Sequence, residues 1–132
     1  MAILNLFQYV KETVTFPAGA VIIKEGDPGS GVCYVILEGE AEVTIDGIVV
    51  ETTKAGGLLG ELSLIDNKPH SSTCIAKTEV KAAPIDQQRF LFMVQETPYF
   101  AIEVMRVMAD RLRRERDRLT NHAEPDGVEA EA

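Results

Sequence analysis

From residue 12 onward the chain runs in short apolar or alternating stretches, each stopped by glycine, proline or aspartate. Runs of four to six residues of this kind suit strands and are too short for helices. The pattern predicts strands over residues 12–16, 21–24, 32–37, 41–45, 48–52, 73–76 and 79–84. The breaks fall at 17–19, 26–31, 38–39, 46–47 and 55–57. Asp46-Gly47 between two alternating runs is a hairpin signal, because both residues tolerate the positive φ that matches strand twist. Many short strands at close spacing predict a β-sandwich or barrel rather than a parallel sheet.

Beyond Ala83 the period lengthens. Asp86 is placed to cap a helix over 87–95, and Pro98 to open a longer one from Tyr99 to about residue 121. Ala101, Met105, Met108, Leu112 and Leu119 recur at spacings of three, four and seven, with Glu115 as a polar break. That reads as a heptad seam. Its first half is expected to pack on the strands, and its far half, with Leu119, to meet a second copy of the chain. Arg111, Arg113, Arg114, Arg116 and Arg118 interleave with Asp110, Glu115 and Asp117 on the remaining faces. Residues 1–10 read as one helical turn or an irregular arm. The acidic, apolar-poor tail 122–132 is expected to be disordered. The chain is thus read as one domain over 1–121, with strands over about 12–85 and helices over about 87–121. No DNA-reading helix-turn-helix is expected after the long helix.

Composition narrows the classes. With 132 residues, 45% hydrophobic and 26% charged, the chain has the make-up of an ordinary globular domain. No apolar run approaches the length of a membrane span, and no basic leader opens the chain, so a cytoplasmic protein without a membrane segment is expected. The formal net charge is −8, and Glu124, Asp126, Glu129 and Glu131 carry half of it. That balance disfavours direct nucleic-acid binding, which needs a basic footprint. Cys33 and Cys74 each sit in a strand-like run and are expected as buried, reduced thiols. Two histidines, His70 and His122, are too few for a catalytic or metal-binding set. No enzyme and no cofactor are expected.

The chemistry concentrates in residues 57–73. Gly57 and Gly60 would let backbone approach a ligand, and a helical turn at 61–65 would aim free N–H groups at an anion. Glu61 is suited to accept hydrogen bonds from sugar hydroxyls. Ser71, Ser72 and Thr73 supply small polar groups after Pro69. Leu62, Leu64 and Ile65 are expected to pack inward.

Three segments carry a resemblance. Leu59-Gly60-Glu61-Leu62-Ser63-Leu64 followed by Pro69-His70-Ser71-Ser72-Thr73 resembles the phosphate-binding cassette of cyclic nucleotide-binding domains. These are the sensor modules of Crp/Fnr-type regulators and of cyclic-nucleotide-gated kinases and channels. Residues 16–29, beginning Phe16-Pro17 and including Gly26-Asp27, and Tyr34-Val-Ile-Leu-Glu-Gly39 resemble two further motifs of that family, in the same order. The likeness covers roughly residues 14–119.

The resemblance implies a double-stranded β-helix, or jelly-roll barrel, with C-terminal helices. It implies cAMP or cGMP as ligand, Glu61 on the ribose 2′-OH, and the amides near Gly60 and Leu62 on the cyclic phosphate. Ser71 reaches the phosphate too, with Ser72 and Thr73 beside it. The long helix would lie over the base, with Arg111, Glu115 and Arg116 as possible base contacts, and form a homodimer seam. His70 stands where the family has arginine. A planar, permanently charged fork is replaced by a shorter imidazole, largely neutral near pH 7. Losing one charged hydrogen bond weakens binding by about 1.5–3 kcal/mol, and Lys54, Lys68 or an arginine of the long helix are candidate substitutes. Two other readings stay open. One is a degenerate pocket in a dimerisation or protein-interaction module. The other is a metal or redox sensor using His70 with Cys33 or Cys74.

Overall fold

A computed structural model of the chain describes residues 3–7 and 9–123. A 3-10 turn, Ile3–Phe7, is followed by strands β1 Val14–Phe16, β2 Val21–Ile23, β3 Val32–Glu38, β4 Ala41–Ile45, β5 Ile48–Thr53 and β6 Leu58–Leu59. The short helix α1, Glu61–Asp66, comes next, then β7 Thr73–Ala76, β8 Val80–Asp86, α2 Gln87–Glu96 and α3 Tyr99–Ala123. α3 runs two residues into the expected tail, and the rest of that tail lies outside the described residues. The strands form two antiparallel four-stranded sheets, ordered β1-β8-β3-β6 and β2-β7-β4-β5. The mainly-β expectation therefore holds.

Side-chain alternation makes the first sheet a middle layer. Cys33, Val35, Leu58, Ala83 and Ile85 face a cluster that includes Phe7, Leu64, Phe100 and Val104. Ile36, Leu59, Val80 and Ala82 face the opposite way, against Ile23, Val43, Cys74 and Ala76 of the second sheet. Neighbours such as Ala82 and Ala83 thus bury on opposite faces, as a pleated strand requires. Sheet two covers one side and the helices cover the other.

Local chemistry explains the ends. Asp46 (φ 52°) and Gly47 (φ 80°) make the expected hairpin between β4 and β5. The Asp86 carboxylate accepts a 2.8 Å hydrogen bond from the Arg89 amide and caps α2, also as expected. β6 went unforeseen because two residues are too short to show alternation. It pairs with β3 at Tyr34↔Leu59 and Val35↔Leu58, and so sets the entry to α1.

Two packing expectations are corrected. α1 has only six residues and presents one face inward, so Glu61, Ser63 and Leu64 are buried while Leu62 and Ile65 are half exposed. On α3 the buried stripe is Phe100 and Val104, followed by half-buried Val107 and Met108. Phe100, Val104 and Val107 keep the same four-and-three spacing as Ala101, Met105 and Met108, displaced by one residue, so spacing alone does not choose between the two stripes. Met105, expected in the half that packs on the strands, is 51% exposed, while Leu112 and Leu119 of the half expected to meet a second copy are 72% and 55% exposed.

Phe100 closes the cluster under sheet one and is fully buried. Phe100→Ala is expected to cost about 3–5 kcal/mol in urea denaturation. Leu91→Ala, on the exposed side of α2, should change stability by less than about 0.5 kcal/mol.

Candidate functional site

The cassette begins where β6 turns into α1. Gly60 makes that turn at φ +78° and stands as the N-cap of α1. A Cβ there would be strained and would meet the Ile23 Cδ1 at 2.7 Å. It would also lie 3.7 Å from the His70 Cε1, so the imidazole sits directly against this turn. The first-turn amides of a helix have no partner within it. Among the described residues, no side chain caps them and no loop carbonyl takes those of Glu61, Leu62 or Ser63.

Gly57 serves a different purpose from the one expected. A Cβ at this position would lie 2.3 Å from Thr53 Cγ2 and 3.0 Å from the Lys54 carbonyl. Its lack of a side chain lets the 54–57 turn close on β5.

Behind the turn lies a buried ionic cluster. Glu61, 5% exposed, receives a 2.5 Å hydrogen bond from Arg111 Nη1 of α3. The same guanidinium donates to Glu51 of β5 through Nε at 2.8 Å and Nη2 at 2.9 Å, and to the Leu58 carbonyl at 2.6 Å. Glu51 also accepts from the Thr53 hydroxyl at 2.5 Å and from Arg114 at 3.0 Å. Burial alone would favour the neutral forms. It is outweighed by the Glu51 and Glu61 contacts, which hold the Arg111 guanidinium above its ordinary range. Burial likewise opposes charge on Glu51, yet the Arg111 and Thr53 hydrogen bonds draw its carboxyl below the ordinary 4.5. Glu51 was not foreseen as part of the site. The available signal was an acid two residues from a threonine on the same strand face, which sequence alone does not pair with a helix sixty residues on.

This cluster forms one wall of a cavity of about 580 Å³ between the strands, α1 and α3. Its lining includes apolar Val43, Ile45, Val50, Met108 and Leu112, and the cassette residues Gly60, Glu61, Lys68, His70, Ser71 and Ser72. Gly60, Glu61, Leu62, His70, Ser71, Ser72, Arg111 and Glu115 are therefore brought together. Thr73 is not among the lining residues, and its hydroxyl accepts a 3.0 Å bond from the Glu25 amide. Arg116 is also outside, since its side chain is 74% exposed beside Asp117. At the mouth, Glu115 pairs with Arg118. Lys54 does not line the cavity, whereas Lys68 does.

The loop that carries His70 is fixed by its backbone. The His70 amide donates to the Asp27 carbonyl at 2.9 Å, and the His70 carbonyl accepts from Gly26 at 2.8 Å. Cys33 and Cys74 are free and buried. Burial pushes their thiols up to about 12 and about 11, which disfavours the free thiolate that a redox reading would use. Among the described residues, no group of three or more His, Cys, Asp or Glu could hold a metal ion.

Fold and cavity together define a two-sheet β domain whose last helix contributes to the wall of a cavity. The model of the cyclic nucleotide-binding domain matches residues 13–97, and the chain belongs to that family. It is 46% identical over 81 residues to a cAMP-dependent protein kinase regulatory subunit of Emericella nidulans, covering 60% of this chain and 19% of that protein. It is 31% identical over 115 residues to a CRP-like cAMP-activated global transcriptional regulator of Mycobacterium tuberculosis, covering 83% of this chain and 51% of that one. The chain thus spans about a fifth and about half of these relatives. A solved catabolite activator protein of Thermus thermophilus shares the fold, with a TM-score of 0.73 at 21% identity over 89% of this chain and 62% of that one. No helix among the described residues is long and apolar enough to cross a membrane.

The lowered carboxyl of Glu51 yields a pH prediction. A group whose folded pKa is depressed contributes stability above its unfolded pKa and loses it as pH falls through the folded value. Glu51→Gln should therefore be about 1–3 kcal/mol less stable than the parent at pH 7. The gap should close below about pH 4, as read from urea midpoints across pH.

Proposed function

We propose that the chain is a non-catalytic sensor domain that binds cAMP or cGMP in the cavity and signals through α3. The observation that carries this is the Arg111–Glu61 contact, which ties a pocket carboxylate to the output helix. In this reading the phosphate lies against the open amides at the start of α1, within reach of Ser71, and Glu61 takes the ribose 2′-OH. The base lies against the apolar lining, which includes Val50 and Met108. A ribose on Glu61 competes with Arg111 for the same carboxylate. The ligand thereby favours one seating of α3 over another, and shifts a population rather than performing chemistry. The relatives' names, which carry cAMP, support the ligand class. The exposed Leu112 and Leu119 support a homodimer or a protein partner along α3. The net charge of −8 disfavours direct contact with DNA, so in this reading the signal passes through protein contacts, in keeping with a cytoplasmic regulator.

One observation favours a weaker pocket: His70 offers at most one hydrogen bond where a guanidinium offers two. Calorimetric titration with cAMP and cGMP separates a working pocket from a purely structural one. His70→Arg is expected to tighten binding by roughly 10- to 100-fold. Silence from both proteins at millimolar ligand would discard the nucleotide reading and leave the interaction module.

A further inference from the structure

We infer that Lys68 supplies the positive charge that meets the ligand's phosphate. The inference rests on the nucleotide reading and adds a residue to it. The cavity is lined by four permanent cations, Lys68, Arg111, Arg114 and Arg118, and by four acids, Glu51, Glu61, Asp66 and Glu115. It is balanced before any ligand arrives, so an incoming anion needs a cation that is not already committed.

Three of the four are committed. Arg111 is held by Glu51, Glu61 and the Leu58 carbonyl. Arg114 is on Glu51, and Arg118 is on Glu115. Among the described residues, no carboxylate lies in ion-pair contact with the Lys68 ammonium. The remaining lining acid, Asp66, accepts the Lys68 backbone amide at 3.1 Å instead.

The backbone around Lys68 is built to hold it at the cavity. Asn67, at φ 55°, ends α1 and donates its amide to the Ser63 carbonyl at 2.9 Å. The Lys68 carbonyl packs so closely on Gly29 that a Cβ there would lie 2.5 Å from it. The two His70 backbone bonds fix the loop's other end. A pinned backbone with a flexible, strongly hydrated ammonium suits a mobile phosphate clamp, since the four-carbon stem can swing without moving the loop.

The test is calorimetric titration of cAMP, cGMP, adenosine and guanosine into the parent chain, Lys68→Gln, Lys68→Arg and His70→Gln at pH 7 and pH 8.5. Lys68→Gln should weaken the cyclic nucleotides by about tenfold and spare the nucleosides, and Lys68→Arg should restore affinity to within about twofold. The parent affinity should persist at pH 8.5. Unchanged nucleotide affinity in Lys68→Gln overturns the inference while leaving the nucleotide reading intact. So does an equal loss toward the nucleosides, or a loss confined to His70→Gln that deepens with pH. A parent chain that binds neither cyclic nucleotide overturns both.

Discussion

The guanidinium of Arg111 is the point on which the site depends. Glu51 on β5 and Glu61 on α1 both turn their carboxylates into the interior, and without a cation between them they would repel at close range. Arg111 meets one with two hydrogen bonds and the other with one, and adds the Leu58 carbonyl. A buried ion group of this kind is weak evidence for net stability, because desolvation offsets most of the attraction. Its value is positional. It allows one arrangement of strand, cassette and helix, and any ligand that bonds to Glu61 must enter that arrangement.

Packing decides how that constraint can be used. Sheet one is buried on both faces, so its helix side offers a firm apolar seat. Phe100 and Val104 occupy it and fix the first turns of α3. Beyond Met108 the seat ends, and polar contacts take over: Arg111 and Arg114 on Glu51, then Glu115 with Arg118. The helix is thus held by apolar contact at one end and by charge at the other. Only the second kind of hold can be contested by a nucleotide, since a phosphate and a ribose bring charge and hydrogen bonds and little apolar area. The signalling role proposed for α3 belongs to its far half for that reason.

How much of this was legible in the sequence divides along the same line. Strands, the Asp46-Gly47 turn and the Asp86 cap are local: a dihedral preference or one side chain on its own backbone is enough to foretell them. The cassette was legible because Gly60 and Glu61 are adjacent and the spacing to residues 69–73 is fixed by one short helix. What escaped notice was long-range or marginal. Glu51 acquires its partner sixty residues away, which no local pattern encodes. Gly57 was read as a ligand-facing glycine, yet its neighbour is Thr53, a tertiary contact. On α3 the exposed and buried apolar residues of the near half differ by a fraction of a turn, and the repeat placed Ala101 and Met105 where Phe100 and Val104 pack.

The arginine-to-histidine difference read from the resemblance at residue 70 concerns a side chain and leaves the backbone intact. The left-handed turn at Gly60, the open amides after it and the bonds from residue 70 to Asp27 and Gly26 involve no imidazole atom. An anion seat made of amides does not depend on which side chain residue 70 carries. An imidazole in place of a guanidinium removes a permanent cation and its planar fork, and in a cavity whose permanent charges already cancel that loss weighs more than it would in a basic cleft. Selection among ligands then turns on how much negative charge the pocket can neutralise. That makes an uncommitted lysine at its edge more consequential than its exposure suggests.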